Sequence, residues 1–211
     1  MKSELLKRIL SSIILLPIAI FFIFQGSVFF ASFLSIFFLA SSYEWIKMNK
    51  KDILKVIGIF YLFFTSVLAY LLREKFSLEI FILILIICVF TDLGGYIFGK
   101  IFKGPKLIKI SPKKTYTGAV GGFILSLIAS IIYAKYTSIG TVFNLNNIFF
   151  LFILFISLIS QIGDLIISYF KRLAKVKDTG NLIPGHGGLL DRVDGIIFAI
   201  PVSYLLFNYL N

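Results

Sequence analysis

The chain has 211 residues, 59% of them hydrophobic, a net charge of +11 and a mean hydropathy of +0.99. Soluble domains carry about 45–50% apolar residues, so this composition excludes a soluble globular protein and indicates one polytopic membrane domain. The cationic excess does not imply nucleic acid, because membrane proteins gather Lys and Arg in their cytoplasmic loops.

A membrane-spanning helix needs about 20 mostly apolar residues. Seven stretches qualify: 7–25, 27–45, 53–72, 78–100, 117–135, 147–170 and 193–210. Lys2, Lys7 and Arg8 precede the first, and no small-residue cleavage site follows it, so it reads as a retained anchor. Pro17 and Pro201 fall inside helices, as membrane bundles tolerate. Gly95 and Gly99, like Gly118 and Gly122, stand four apart and suit close helix packing. Cys88, the single cysteine, sits in an apolar run and reads as packing. The expected fold is all-α: a polytopic bundle of about seven transmembrane helices forming one integral membrane domain over 1–211. Residues 1–75 would supply N-terminal helices, and 78–211 the catalytic helices and cytoplasmic loops.

Charge sets the orientation. With a cytoplasmic N-terminus, all but Arg73, Lys75 and Lys135 of the 21 Lys and Arg residues fall on the cytoplasmic side. That asymmetry supports both the orientation and the helix count. The two long cytoplasmic loops, 101–116 and 171–192, would carry the polar motifs.

Acids embedded in the apolar segments are the first candidates for chemistry, since an ionised group near lipid is costly unless paired. Asp92 precedes Lys100 by eight residues and Asp164 precedes Lys171 by seven. Both should lie roughly 10–12 Å below the cytoplasmic helix ends, a common depth that suits a shared polar cavity. For Asp92, local hydrogen bonds to Thr91 and Tyr96 are the alternative. Glu44, close to Lys47, reads as a snorkelling ion pair. Asp191 and Asp194, three apart at the expected start of the last helix, should share a face, although a helix N-terminus favours acids in any case.

Around these acids stand Asp178, Lys171, Arg172, Lys175, Lys177 and Arg192. Carboxylates repel phosphate, so several of them beside a cationic cradle imply a cation between, and oxygen ligands indicate Mg²⁺. The turn Pro184-Gly185-His186-Gly187-Gly188 would let backbone N–H groups converge on an anion, with a flexible loop as the alternative; His186 suits a phosphate hydrogen bond better than a metal. Ser111-Pro112-Lys113-Lys114-Thr115 reads as a helix start with two lysines placed for phosphate, although positive-inside topology accounts for much of the lysine.

These residues have a recognisable arrangement. Ser168, Lys171-Arg172, Lys177-Asp178, Gly180, Ile183-Pro184, His186-Gly187-Gly188, Asp191-Arg192 and Asp194, at their fixed spacings over 27 residues, resemble the signature of the phosphatidate cytidylyltransferases. The resemblance extends to Gln161-x-Gly163-Asp164, to Ser111 through Thr115, and to Thr91-Asp92 with Tyr96 and Gly99. Two positions depart from the family pattern: Thr117 stands where Glu is usual and Gly195 where Ser is usual. The chain is also short for that family.

The resemblance implies transfer of a cytidylyl group from CTP to phosphatidate, dependent on Mg²⁺, at the inner membrane of a bacterial cell with the site facing the cytoplasm. Asp164, Asp191 and Asp194 would hold the metal, with Lys171 and Arg172 beside them. Lys113, Lys114, Thr115, Asp178, His186, Gly187, Gly188, Arg192 and Asp92 would contact substrates. The partners would be CTP, phosphatidate and membrane lipid, with no nucleic acid. A second cation and a homodimer, common in such bundles, stay open. The rival readings are a CTP-dependent lipid kinase and an ion-coupled transporter.

Overall fold

The computed structural model describes residues 2–108, 111, 113–142, 146–185 and 187–210. Helices occupy all seven expected stretches: α1 (Lys2–Gln25), α2 (Ser27–Met48), α3 (Asp52–Leu71, continued by a π turn Leu72–Phe76), α4 (Leu78–Phe102), α5 (Tyr116–Lys135), α7 (Asn147–Leu173) and α8 (Ile196–Leu210). A four-residue helix, α6 (Ile139–Val142), and a 3-10 turn at Leu190–Arg192 complete the list. No strand occurs among the described residues, only two isolated bridges. Among the described residues, five helices are long and apolar enough to cross a membrane: Ser27–Met48, Asp52–Phe76, Leu78–Phe102, Tyr116–Lys135 and Asn147–Leu173. The chain is therefore an integral membrane protein. The apolar parts of α1 and α8, Ile13–Gln25 and Ile196–Tyr209, are shorter.

The chain divides into two compact units, Met1–Leu78 with Phe170–Val193, and Glu79–Tyr169 with Asp194–Asn211. In the first, the α1–α2 turn is held by a neighbouring pair of charges. Helix ends leave carbonyls and N–H groups without intrahelical partners. Arg73 donates to Ile23 O at 2.9 Å and Phe24 O at 3.0 Å at the end of α1. Glu74 Oε1 accepts Ser27 N at 2.9 Å at the start of α2. Cation at a C-terminus and anion at an N-terminus is also the arrangement that helix dipoles favour. Gly26 permits the turn: its φ is +69°, and a Cβ there would fall 2.1 Å from the Arg73 guanidinium. At the other end of α2, Trp45 Nε1 donates to Leu54 O at 2.8 Å, and its ring packs edge-on against Phe170 at 4.9 Å.

In the second unit, α4 and α5 meet along glycines. A Cβ on Gly94 would lie 2.4 Å from Gly121 O, and one on Gly118 would lie 2.6 Å from Gly95 O. The absence of side chains lets the two backbones touch, as small-residue seams do. Thr91 Oγ1 lies 2.7 Å from Ser157 Oγ and so ties α4 to α7. Helices α7 and α8 close similarly, since a Cβ on Gly163 would lie 2.9 Å from Asp194 O, and one on Gly195 would lie 2.3 Å from Ser160 Oγ.

Candidate active site

A cavity of about 290 Å³ in the second unit gathers residues from α4, the 103–115 loop, α5 and α7. Asp92, Tyr96, Ser111, Lys113, Lys114, Thr115, Gln161 and Asp164 line it. Asp92 and Asp164 thus open onto one polar space. Lys114 forms an ion pair with Asp164 and reaches Gln161 O at 3.5 Å, while Lys113 is exposed. Asp164 Oδ1 also accepts Ser168 Oγ at 3.3 Å. Of the local partners proposed for Asp92, Thr91 Oγ1 donates to Ile87 O at 2.7 Å besides its contact with Ser157, and Tyr96, largely exposed, lines the same cavity.

The loop over this cavity is shaped by its own hydrogen bonds. Leu107 N donates to Lys114 O at 2.9 Å and Tyr116 N to Pro105 O at 3.0 Å, bringing 105–107 alongside 114–116. Thr115 ends it as the N-cap of α5, its Oγ1 accepting Gly118 N at 3.1 Å. Thr117 Oγ1 accepts Gly104 N at 3.2 Å and lies 3.1 Å from Thr115 Oγ1. Here it anchors the loop.

The first unit holds the other polar cluster. Lys171 Nζ donates to Asp191 Oδ1 at 2.8 Å. Asp191 Oδ2 accepts Thr179 N at 2.8 Å, Thr179 Oγ1 at 3.0 Å and Gly188 N at 3.0 Å. Lys171 and Thr179 are buried, whereas Arg172, Asp178 and Arg192 are exposed. Gly187 takes φ +88° and passes beside Asp178, so that a Cβ there would lie 3.3 Å from that residue's Cβ. His186 lies outside the described residues.

Glu44 is the principal residue that sequence reasoning missed. It is not a snorkelling ion pair: it is 1% exposed, and Lys47 lies over the Tyr43 ring instead. Its Oε1 accepts Leu189 N at 2.9 Å, and its Oε2 accepts Leu190 N at 2.9 Å and Thr179 Oγ1 at 3.1 Å. The converging N–H groups of 188–190 are therefore filled from within, by Asp191 and Glu44, and not left open to an external anion. The available signal was the acid itself, on an apolar helix where charge needs a reason. Thr179 fell on a position between signature residues and had no signal.

A second correction concerns Asp191 and Asp194. They do not share a helix face, because α8 begins only at Ile196. Glu44 holds the N–H groups of Leu189 and Leu190, and the chain makes a 3-10 turn there. Asp194, 8% exposed, accepts Gly195 N on Oδ1 at 2.9 Å and belongs to the second unit with Asp164.

Magnesium commonly binds through one or two carboxylates, several waters and substrate phosphates. Among the described residues no group of three or more His, Cys, Asp or Glu stands close enough to hold a metal. The cavity with Asp92 and Asp164 offers two carboxylates, which matches that modest requirement. Among the described residues, Asp191 Oδ2 faces three donors, one of them the Thr179 hydroxyl it shares with Glu44, and Oδ1 faces Lys171.

The model of the Cytidylyltransferase family matches residues 51–210. The phosphatidate cytidylyltransferase of Rickettsia typhi is 35% identical, with 99% of this chain and 94% of that protein aligned, so the two are similar in length. That of Staphylococcus haemolyticus is 42% identical over 55% of this chain and 44% of its own. That of Brucella suis is 34% identical over 70% of this chain and 54% of its own.

Proposed function

The chain belongs to the cytidylyltransferase family, and we propose on that footing that it transfers the cytidylyl group of CTP to phosphatidate. The observation that carries the reading is the cavity in which two carboxylates, Asp92 and Asp164, stand with Lys113 and Lys114 at the end of apolar helices. A phosphate oxygen of phosphatidate attacks the α-phosphorus of CTP, the bond to the β-phosphate oxygen breaks, and pyrophosphate leaves. The nucleophile is already an anion, so no strong general base is needed. The obstacle is repulsion between anions, which fixed positive charge lowers.

Lys114 and Lys113 neutralise phosphate at the cavity, and Thr115 shapes its rim. Lys171, Arg172 and Arg192 supply cationic charge on the second loop, and Asp178, Gly187, Gly188 and His186 contact substrate there. Asp164 and Asp92, which line one cavity, would hold magnesium, with Asp194, from the segment packed on Gly163, as a further candidate ligand; when bound the ion supplies Lewis-acid charge to the phosphates. The acyl chains stay in the bilayer while the headgroup enters sideways.

We further place the N-terminus and both polar loops in the cytoplasm, with the shorter apolar helices α1 and α8 also crossing a bacterial inner membrane. The lysine and arginine asymmetry supports this arrangement. Incubating purified protein with CTP, phosphatidate and Mg²⁺ tests the reaction: CDP-diacylglycerol and pyrophosphate are expected. CDP and a newly phosphorylated lipid would identify a lipid kinase instead.

A further inference from the structure

We propose that Glu44 is a positioning residue for this transfer, holding the 179–190 loop in the shape that presents Lys171 and Asp191. The proposal rests on reading Lys171, which Asp191 holds, as part of the phosphate-handling machinery. Glu44 lies on α2, far in sequence from the residues it holds, and its carboxylate is almost wholly enclosed. An acid at such a place on an apolar helix is costly unless its acceptors are satisfied. Here they are satisfied by the loop. Leu189 N and Leu190 N, consecutive in the chain, each point at a different oxygen of the same carboxylate. Only a carboxylate presents two equivalent acceptors there; an amide would set its NH₂ against one of those N–H groups.

The loop is folded around that carboxylate with no space to spare. A Cβ on Gly180 would lie 2.5 Å from Glu44 Oε1, and one on Gly188 would lie 2.6 Å from Glu44 Oε2 and 2.1 Å from Thr179 Oγ1. The two glycines are therefore accounted for by Glu44 and not by an approaching phosphate. From Glu44 the connection runs onward through one side chain. Thr179 Oγ1 lies 3.1 Å from Glu44 Oε2 and 3.0 Å from Asp191 Oδ2. It has a single proton and donates to one acceptor at a time. Thr179 N and Gly188 N fix the same Asp191 oxygen, and the other oxygen fixes Lys171 Nζ. The orientation of a lysine on α7 is thus set from α2 through the loop.

The test uses the purified full chain, with Glu44→Gln and Thr179→Val compared with wild type. Three measurements are made: kcat and KM for CTP, tryptic cleavage after the exposed Lys175 and Lys177, and emission of Trp45, the only tryptophan. Trp45 adjoins Glu44 but is held by Leu54 and Phe170, so its emission reports whether α2 remains packed. Glu44→Gln should lower kcat by roughly 10- to 100-fold, the scale of a misplaced group, with a smaller change in KM. Tryptic cleavage should quicken while Trp45 emission stays at its wild-type maximum. Wild-type turnover per folded molecule in Glu44→Gln overturns the proposal, even if less protein folds. Should that variant fail to fold, Thr179→Val decides in the same way, because it removes only the hydroxyl link. Lys171→Gln and Asp191→Asn are run alongside. Wild-type turnover in both overturns the assignment of Lys171 and with it the catalytic part of the proposal, and faster tryptic cleavage in Glu44→Gln would then show that the loop is still held by Glu44.

Discussion

Lys171 and Asp191 form an ion pair at 2.8 Å with side chains only 11% and 7% exposed. Removing one partner of such a pair leaves the other charge enclosed and uncompensated, which costs about 3–5 kcal/mol. Lys171→Met should therefore lower thermal stability markedly, whereas Lys171→Met combined with Asp191→Asn should regain much of it, because neither charge remains. Activity should not return in the double variant. Melting curves in detergent, read beside turnover, separate the two contributions. A double variant as unstable as Lys171→Met would show that the pair is not the source of the loss.

The α4–α5 seam allows a sharper test, because neighbouring glycines differ in the room they have. Gly94→Ala and Gly118→Ala drive a methyl group into backbone, at 2.4 and 2.6 Å. Each should cost about 1–3 kcal/mol, the usual penalty for overpacking. Gly95→Ala meets nothing nearer than 3.8 Å and should melt within a few degrees of wild type. Equal melting of all three variants would dismiss the seam.

How much of this was legible in the sequence follows from the range of each interaction. Apolar run length is local, so helices occur at all seven positions where they were expected, and only the four-residue α6 was unforeseen. The start of α8 was expected at 193 and lies at Ile196, after a 3-10 turn at Leu190–Arg192 whose first N–H is held by Glu44, a long way up the chain. Asp92 and Asp164 could be placed at one depth from their distance to flanking lysines, and they do line one cavity. The pairing of Lys114 with Asp164 needed the fold. The Gly-rich turn looked like an open anion site because glycine content records only close approach, not what approaches. Here Glu44 and Asp191 do.

Orientation is tested by labelling single cysteines in a Cys88→Ala background, Cys88 being buried. Exposed side chains make the safest sites: Lys106 and Lys177 for the two polar loops, and Tyr136, 86% exposed, beyond the end of α5. Gly180 and Gly140 are unsuitable, since a Cβ at either would meet Glu44 or Ala134 O at 2.5 Å or less. Lys106→Cys and Lys177→Cys should react with a membrane-impermeant reagent only from the cytoplasm, and Tyr136→Cys only from the opposite side. Labelling of Tyr136→Cys and Lys177→Cys from the same side would sink the proposed orientation.

The last prediction concerns Asp164, whose carboxylate is shared between Lys114 and Ser168. If it holds magnesium, the Asn variant keeps size and hydrogen bonding but loses the ligand charge. Asp164→Asn should insert and fold yet lose turnover by on the order of 10²-fold or more, and raised Mg²⁺ or added Mn²⁺ should restore part of it. Lys114→Gln should also lower turnover strongly, because it removes a cavity cation and leaves Asp164 unpaired. Lys113→Gln, an exposed position, should raise the KM for a phosphate substrate with less effect on turnover. The contrast matters because both lysines contribute equally to positive-inside topology, so a purely topological role predicts equal and small effects. Near wild-type turnover in Asp164→Asn, with unaltered Mg²⁺ dependence, would leave the carboxylate as a structural partner of Lys114 and Ser168 and remove it from the metal site.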